Sequence, residues 1–339
     1  MLLDTCFNGV SAGLAGTGGT CQPWRGCDSL ISMRIVVCLF AAGMTLLPVS
    51  AQTRRVIVIG VDGLGGEGVE SVAPPVLSGL QRRGAWTLQA RGVMPTVSSP
   101  NWASMIMGAG PEQHGITSNQ WQPGKAAIQP VCTESQGRFP TIFGELRRQR
   151  SQALIAVFHD WDEFGRLVEP GVPTVMRHVK GSPAATAAAI EYWKQHKPDL
   201  LFLHLDDVDH AGHEHGWLGP EYRQAVLEAD KLIGRVAQAV EDEGLKESTL
   251  ILVTADHGGV GKKHGGESMG ELQIPWIAAG AGVRNGHRIQ APVNTYDTAA
   301  TIAFALHSPR FRTRFAYQVK AKKAATNSTP ATPPSGERQ

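Results

Sequence analysis

From Val56 onward, short apolar runs alternate with longer segments whose apolar residues recur at helical spacing. Val56-Ile57-Val58-Ile59-Gly60-Val61 is continuous, apolar and mostly β-branched, the pattern of a strand buried on both faces of a parallel sheet. Residues 74–83 predict the helix that follows it, closed near Gly84. Further strands are predicted over residues 153–158, 200–205 and 249–254. Between the last two, Tyr222, Val226, Ala229, Ile233, Val236 and Val240 fall on one face of a long amphipathic helix that Gly244 ends. Residues 296–306 predict a final helix. Strands separated by helices predict an α/β architecture: an open, mostly parallel sheet with helices on both faces, in a single domain over residues 52–308. No internal repeat interrupts this order.

Three stretches fall outside the pattern. Met33-Arg34 opens a short basic region, residues 35–49 are apolar, and Val49-Ser50-Ala51 supplies small residues of the kind a signal peptidase reads. Residues 33–51 are therefore expected to be a cleaved signal peptide, with Gln52 as the mature N-terminus; a buried core helix is the competing assignment. The run is short for a membrane span, and Cys38 lies inside it rather than at its end, which argues against a lipoprotein anchor. Residues 1–32 are rich in Gly, Ser, Thr and Cys without periodicity, and are expected to be an upstream extension ahead of a true start at Met33. Residues 309–339 form a basic, Pro/Thr-rich tail with no core face, expected to be disordered. The mature protein is thus expected in the periplasm or secreted, without a membrane span.

Composition narrows the chemistry. With 339 residues, 42% hydrophobic and 18% charged, the chain is an ordinary globular protein. A formal net charge of +2 provides no field that would recruit nucleic acid, so no stable nucleic-acid complex is expected. Of five cysteines only Cys132 lies beyond Ala51. One cysteine makes neither an internal disulfide nor a thiolate metal site, so any metal must be held by His, Asp and Glu.

In open parallel sheets, ligands bind beyond the carboxyl ends of the strands. Three predicted strand ends carry carboxylates or imidazoles: Asp62-Gly63, the run from Asp206 to His213, and Asp256-His257-Gly258-Gly259 with His264 close behind. Singly, each has a plainer explanation, because Asp at a strand end is usually a turn or cap residue and a loop His is usually a surface group. Together they suit a mixed nitrogen and oxygen site for zinc or manganese. Asp209 and His213 are four apart and would share one side of a helical turn. In Pro95-Thr96-Val97-Ser98-Ser99-Pro100, a loop enters a helix with Pro100 suited to its first turn. Ser98 or Ser99 alone would be a helix cap. Beside a metal cluster, the same helix start offers backbone N–H groups to a phosphoryl oxygen, and a metal-bound Ser hydroxyl can ionise near neutral pH.

These blocks, in this order, resemble the alkaline phosphatase superfamily and in particular its type I phosphodiesterase/nucleotide pyrophosphatase branch. The resemblance rests on Val-Ile-Val-Ile-Gly-Val-Asp62-Gly, Pro-Thr-Val-Ser98-Ser-Pro-Asn running to His114-Gly-Ile, Asp209-His-Ala-Gly-His213, and Thr-Ala-Asp256-His257-Gly with His264-Gly-Gly. It implies an alkaline-phosphatase-like fold and two divalent metal ions, zinc before manganese. One metal would be held by Asp62, Asp256 and His257, with Ser98 touching it as nucleophile. The other would be held by Asp209, His213 and His264. Asn119 falls where that branch places an oxyanion-binding Asn; its plainer role is a turn residue. The implied activity is hydrolysis of a small phosphoester, phosphodiester or pyrophosphate before monoester, through a phosphoseryl intermediate.

Two departures from the family pattern bear on substrate. His264 follows His257 by only seven residues, as in shorter bacterial members, which leaves no room there for a large insert. Ser99 stands where nucleotide-cleaving relatives often carry Phe. A sulfatase of the same fold would need Cys or Ser followed by x-Pro-x-Arg, and Trp102 occupies the Arg position. A phosphomutase fits poorly with export, and a non-catalytic metal-binding relative would be expected to lack ligands that are all present here. His210, His215, Lys262 and Lys263 read as neighbours of the site facing solvent, and residues 159–162 as a candidate pocket wall.

Overall fold

The computed structural model describes residues 53–307. The expected upstream extension, signal peptide and tail lie outside the described residues. Among the described residues eight strands form one sheet: β1 (Arg55–Val61), β2 (Gly84–Arg91), β3 (Ile155–His159), β4 (Val175–His178), β5 (Leu200–Leu205), β6 (Thr249–Thr254), β7 (Gln273–Gly280) and β8 (His287–Arg288). Among the described residues the α-helices are α1 (Gly66–Val72), α2 (Pro75–Arg82), α3 (Ser98–Met107), α4 (Pro111–His114), α5 (Ile142–Gln149), α6 (Ser182–His196), α7 (Asp207–His215), α8 (Pro220–Asp242), α9 (Met269–Leu272) and α10 (Asp297–Ala305). None is long and apolar enough to cross a membrane.

The sheet order is β4-β3-β5-β1-β6-β7-β2-β8. Helices α1, α2, α6 and α7 pack with the long α8 on one face, while α3, α4, α5 and α10 form the other layer. This is the expected open α/β sheet. Its centre, β3-β5-β1-β6, is parallel, and all of β5, β1 and β6 is buried apart from Arg55. β5 and β6 match their predicted bounds, β3 starts two residues later than predicted, and the long amphipathic segment is α8.

Strand β7 runs antiparallel within this mostly parallel sheet, pairing with both β6 and β2. It contains Pro275, which lacks the N–H a central strand needs. The β2–β7 register shifts between Thr87 and Ala90, opposite this proline, so the ladder skips the missing donor. The Pro275 carbonyl accepts from the Thr254 hydroxyl at 2.8 Å, tying β7 to the end of β6. That edge, at the carboxyl ends of the central strands, carries the polar residues.

Candidate active site

β1 lies between β5 and β6, with Val61 paired to Leu205 and Gly60 to Thr254. The residues after each strand therefore leave the sheet side by side. Asp62 follows β1 directly and its N–H donates to Leu205 O at 2.8 Å. β5 runs almost at once into α7, whose first turns present Asp209 and His213, four residues apart on the helix. Gly63 lets these pieces meet. Its φ of 70° lies in the left-handed region, and a Cβ there would sit 2.7 Å from the Asp209 Cα.

Among the described residues three groups of potential ligands form: Asp62 with Asp256 and His257, Asp209 with His213 and His264, and Asp62 with His204 and Asp206. In the first, His257 Nε2 lies 3.4 Å from Asp62 Oδ1 and 3.2 Å from Asp256 Oδ2. In the second, His213 Nε2 lies 3.4 Å from Asp209 Oδ2, and His264 Nε2 is 3.0 Å from His213 Nε2. The His257 and His264 rings stack at 3.8 Å between centroids, so the groups are neighbours.

Each imidazole is held from behind by a backbone carbonyl. His257 Nδ1 donates to Gly258 O at 2.9 Å, His213 Nδ1 to Lys262 O at 3.1 Å and His264 Nδ1 to Thr96 O at 2.8 Å. A carbonyl can only accept, so Nδ1 carries the proton and the Nε2 lone pair faces the cluster. The acids present Asp62 Oδ1, Asp209 Oδ1 and Asp256 Oδ2, all buried and without a hydrogen-bond partner. A cluster of inward lone pairs with so few donors is costly by itself and fits divalent cations well.

The electrostatics agree. Burial pushes Asp209 up to about 9, and the Asp62 and Asp206 carboxylates add to the shift. Burial, then Asp62 and Asp209, also raises Asp256. Burial would raise Asp62 too, but the His204 hydrogen bond and the His257 and His204 charges outweigh it and hold its carboxyl below the usual range. Burial depresses His257 to about 3 and lowers His264 as well. One carboxylate keeps its charge, and its neighbours are pushed towards neutrality until positive charge arrives.

Ser98 occupies the first turn of α3, with Val97 at the N-cap and no side-chain cap bond. Its hydroxyl is therefore no helix cap; it lies 3.4 Å from His257 Nε2 with the residue only 6% exposed. The Ser99 N–H donates to Asn119 Oδ1 at 2.8 Å, and Pro100 has no N–H, so this helix start offers fewer donors than its position in the chain suggests. An N–H needs an acceptor, which fixes the Asn119 amide with Oδ1 towards Ser99. The Arg166 guanidinium donates to the Asn119 carbonyl and lies over the Trp161 ring at 5.9 Å. Sequence reasoning does not reach Arg166 or His204. Nothing around Arg166 is patterned, but a lone His in the apolar run of β5 is a usable signal.

The remaining polar candidates have other duties. His210 pairs with Asp206 at 3.1 Å, and that hydrogen bond pushes it up to about 9. His215 lies beside Glu214, and the Lys262 ammonium donates to the Glu214 carbonyl. The Asp160 carboxylate accepts from Gly181 N and Ser182 Oγ at the start of α6, so it serves the fold. His159 is buried, with Nδ1 on Trp161 O at 2.8 Å. The Trp161 ring stands 6.4 Å from that of His204, and the Asp160 carboxylate also accepts from Asp206 N at 3.4 Å.

The sheet and its ligand-bearing strand ends define an alkaline-phosphatase-like α/β fold. Among solved structures it is similar to murine ectonucleotide pyrophosphatase/phosphodiesterase 5, in an inactive variant complexed with AMP, with a TM-score of 0.63 at 15% identity, covering 75% of this chain and 95% of that one. A 2-O GAG sulfatase shares the fold with a TM-score of 0.57 at 15% identity, over 76% of this chain and 71% of that one. The model of the type I phosphodiesterase/nucleotide pyrophosphatase family matches residues 56–267, and the chain belongs to that family. The matched span contains all eight residues singled out in the sequence.

Ectonucleotide pyrophosphatase/phosphodiesterase family member 1 of Mus musculus is 25% identical over 228 residues, 62% of this chain and 24% of the relative. Venom phosphodiesterase 2 of Crotalus adamanteus is 24% identical over 230 residues, 64% of this chain and 28% of the relative. The chain thus spans about a quarter of the length of these curated relatives.

Proposed function

We propose that this chain is a metal-dependent hydrolase of small phosphodiesters or pyrophosphates, with monoesters as poorer substrates, and that Ser98 is its nucleophile. The support is the placement of Ser98. Its hydroxyl opens onto His257 at the start of α3, beside two groups of lone pairs that lack a positive partner. The relatives' names, nucleotide pyrophosphatase and venom phosphodiesterase, favour nucleotide-like substrates.

Asp62, Asp256 and His257, with Ser98, would hold one divalent cation, and Asp209, His213 and His264 the other, with zinc favoured over manganese. When bound, the cations supply positive charge that favours ionised oxygen at neutral pH and offsets charge on the phosphoryl oxygens. The Ser98 oxygen bonds to phosphorus as the bond to the leaving oxygen breaks, and water then cleaves the seryl ester, regenerating the hydroxyl. Asn119, with Oδ1 committed to Ser99, has its Nδ2 left to donate to a phosphoryl oxygen. Ser99 is too small and too buried to stack on a base, so a nucleobase gains no platform at that position. A sulfatase is disfavoured because Trp102, at the position where its motif needs Arg, is fully buried and donates to Asp62.

A nitrophenyl diester, a nucleotide nitrophenyl ester and nitrophenyl phosphate, assayed with and without chelator, test the proposal. Diester cleavage that chelation abolishes and zinc restores is expected; full activity in chelator, with no bound metal by elemental analysis, overturns the metal dependence. Ser98→Ala should abolish turnover while both metals stay bound, because the six other ligands remain. Acid quench of the wild type should leave the adduct on the Ser98 peptide. A Ser98→Ala protein turning over at the wild-type rate removes the covalent step.

A further inference from the structure

β5 reads Leu200-Leu201-Phe202-Leu203-His204-Leu205, a single polar residue in an apolar strand, and His204 is 0% exposed. Its ring sits among aromatic rings, with centroids at 4.8 Å to Trp102, 5.5 Å to Phe164 and 6.4 Å to Trp161. Burying an imidazole in such surroundings is unfavourable, and Leu or Phe would fill the space at less cost. Its polar contact is His204 Nε2 to Asp62 Oδ2 at 3.2 Å; Nδ1 has no partner. The same Asp62 oxygen accepts from Trp102 Nε1 at 3.0 Å.

Two N–H donors thus converge on one oxygen of Asp62, and the other, Oδ1, is left bare towards His257. The backbone makes room for this arrangement. Gly60 is paired with His204 across the β1–β5 ladder, and a Cβ on Gly60 would stand 2.5 Å from the Trp102 ring carbons. The glycine that interrupts the apolar run of β1 is the opening through which Trp102 reaches Asp62.

We propose that His204 and Trp102 are positioning residues that clamp Asp62 Oδ2 and so aim Oδ1 at the cation of the Asp62–Asp256–His257 group. The proposal rests on the reading of Asp62 as a metal ligand made above. It differs from a cation shared by Asp62, His204 and Asp206, which also stand close together. A cation bound through His204 Nε2 would have to displace the N–H that this nitrogen donates to Asp62 Oδ2. Partners behind a metal ligand set its orientation and basicity, and losing one typically weakens metal affinity by about 10–100-fold.

The experiment is a zinc titration of the chelator-stripped full chain against a chromophoric competitor, for wild type, His204→Leu, His204→Gln and Trp102→Phe. Thermal unfolding of each metal-free protein runs alongside. Wild type should take up two zinc ions. His204→Leu and Trp102→Phe should weaken one of them by about 10–100-fold and leave the other unchanged. His204→Gln, which keeps a side-chain N–H donor, should recover most of the loss. A role in packing alone would lower the melting temperature of the metal-free protein and leave both affinities intact, which overturns the proposal. Trp102→Phe tests the same clamp should the Leu variant not fold. Three zinc ions in wild type and two in His204→Leu would favour the shared cation and also overturn it. No zinc in wild type removes the metal reading itself, whereas two zinc ions in wild type with unchanged variants removes the clamp alone.

Discussion

Acid should destabilise this protein in part through His114, a residue outside the ligand cluster. His114 ends α4, is 1% exposed, and stands edge-on to Phe139 at 6.5 Å. Its Nδ1 accepts from Ile116 N at 3.0 Å, which places the proton on Nε2, 3.0 Å from Ser104 Oγ. Burial pulls its pKa from 6.5 down to about 3, against a smaller opposing contact with the Pro100 carbonyl. The folded site thus refuses a proton that the unfolded chain accepts. Its contribution is complete above the unfolded value of 6.5 and is lost as pH falls towards about 3, where the folded ring finally protonates. At about 1.36 kcal/mol per pK unit, moving from pH 7 to pH 4.5 removes about 2.5 kcal/mol. Urea unfolding followed by tryptophan fluorescence across this range, on wild type and His114→Asn, isolates the effect. Asn can offer Oδ1 to Ile116 N and does not titrate. Its baseline should fall by about 1–3 kcal/mol for the lost Ser104 contact and volume, but its pH slope should be shallower by the stated amount. Depressed groups common to both proteins, His257 among them, cancel in the difference. Parallel pH profiles for the two proteins would refute the argument.

Asp209→Ala and His264→Ala should each cut turnover by orders of magnitude, mainly in kcat, whereas His210→Ala and His215→Ala should stay near wild type; steady-state kinetics at saturating zinc separates the two pairs, and a near-normal Asp209 or His264 variant removes that ligand from the assignment. Gly60→Ala should destabilise the fold by about 1–3 kcal/mol, because the new methyl meets the fully buried Trp102 ring at 2.5 Å. Chemical denaturation measures this, and an unchanged midpoint would show that the ring can yield.

The central strands were legible because β-branched apolar runs have one comfortable home, a sheet covered on both faces. The strand-end acids and imidazoles were legible for a related reason: where three runs must pair, the residues after them must share an edge. β7 was hidden by Pro275, since a local pattern cannot know that the partner strand bulges to meet it. α6 was hidden by its Ala-rich sequence, whose apolar positions do not gather on one face. By residue type alone Ser98 and Ser99 are equally nucleophilic, and in the sequence it is the family resemblance that singles out Ser98. Only the helix start turns Ser98 Oγ to His257, while Ser99 is buried with its hydroxyl unpartnered and its N–H on Asn119.

The sequence by itself thus determined the α/β layering, the central strands and most of the chemistry-bearing residues, because periodicity and strand-end chemistry are local and survive in a linear text. Tertiary structure alone decided what holds those residues in place. The carbonyl behind His264 belongs to Thr96, 168 positions away, and the donors on Asp62 come from Trp102 and His204, 40 and 142 positions away. Such contacts depend on which strands become neighbours and in what register, and that is settled by the packing of the whole sheet.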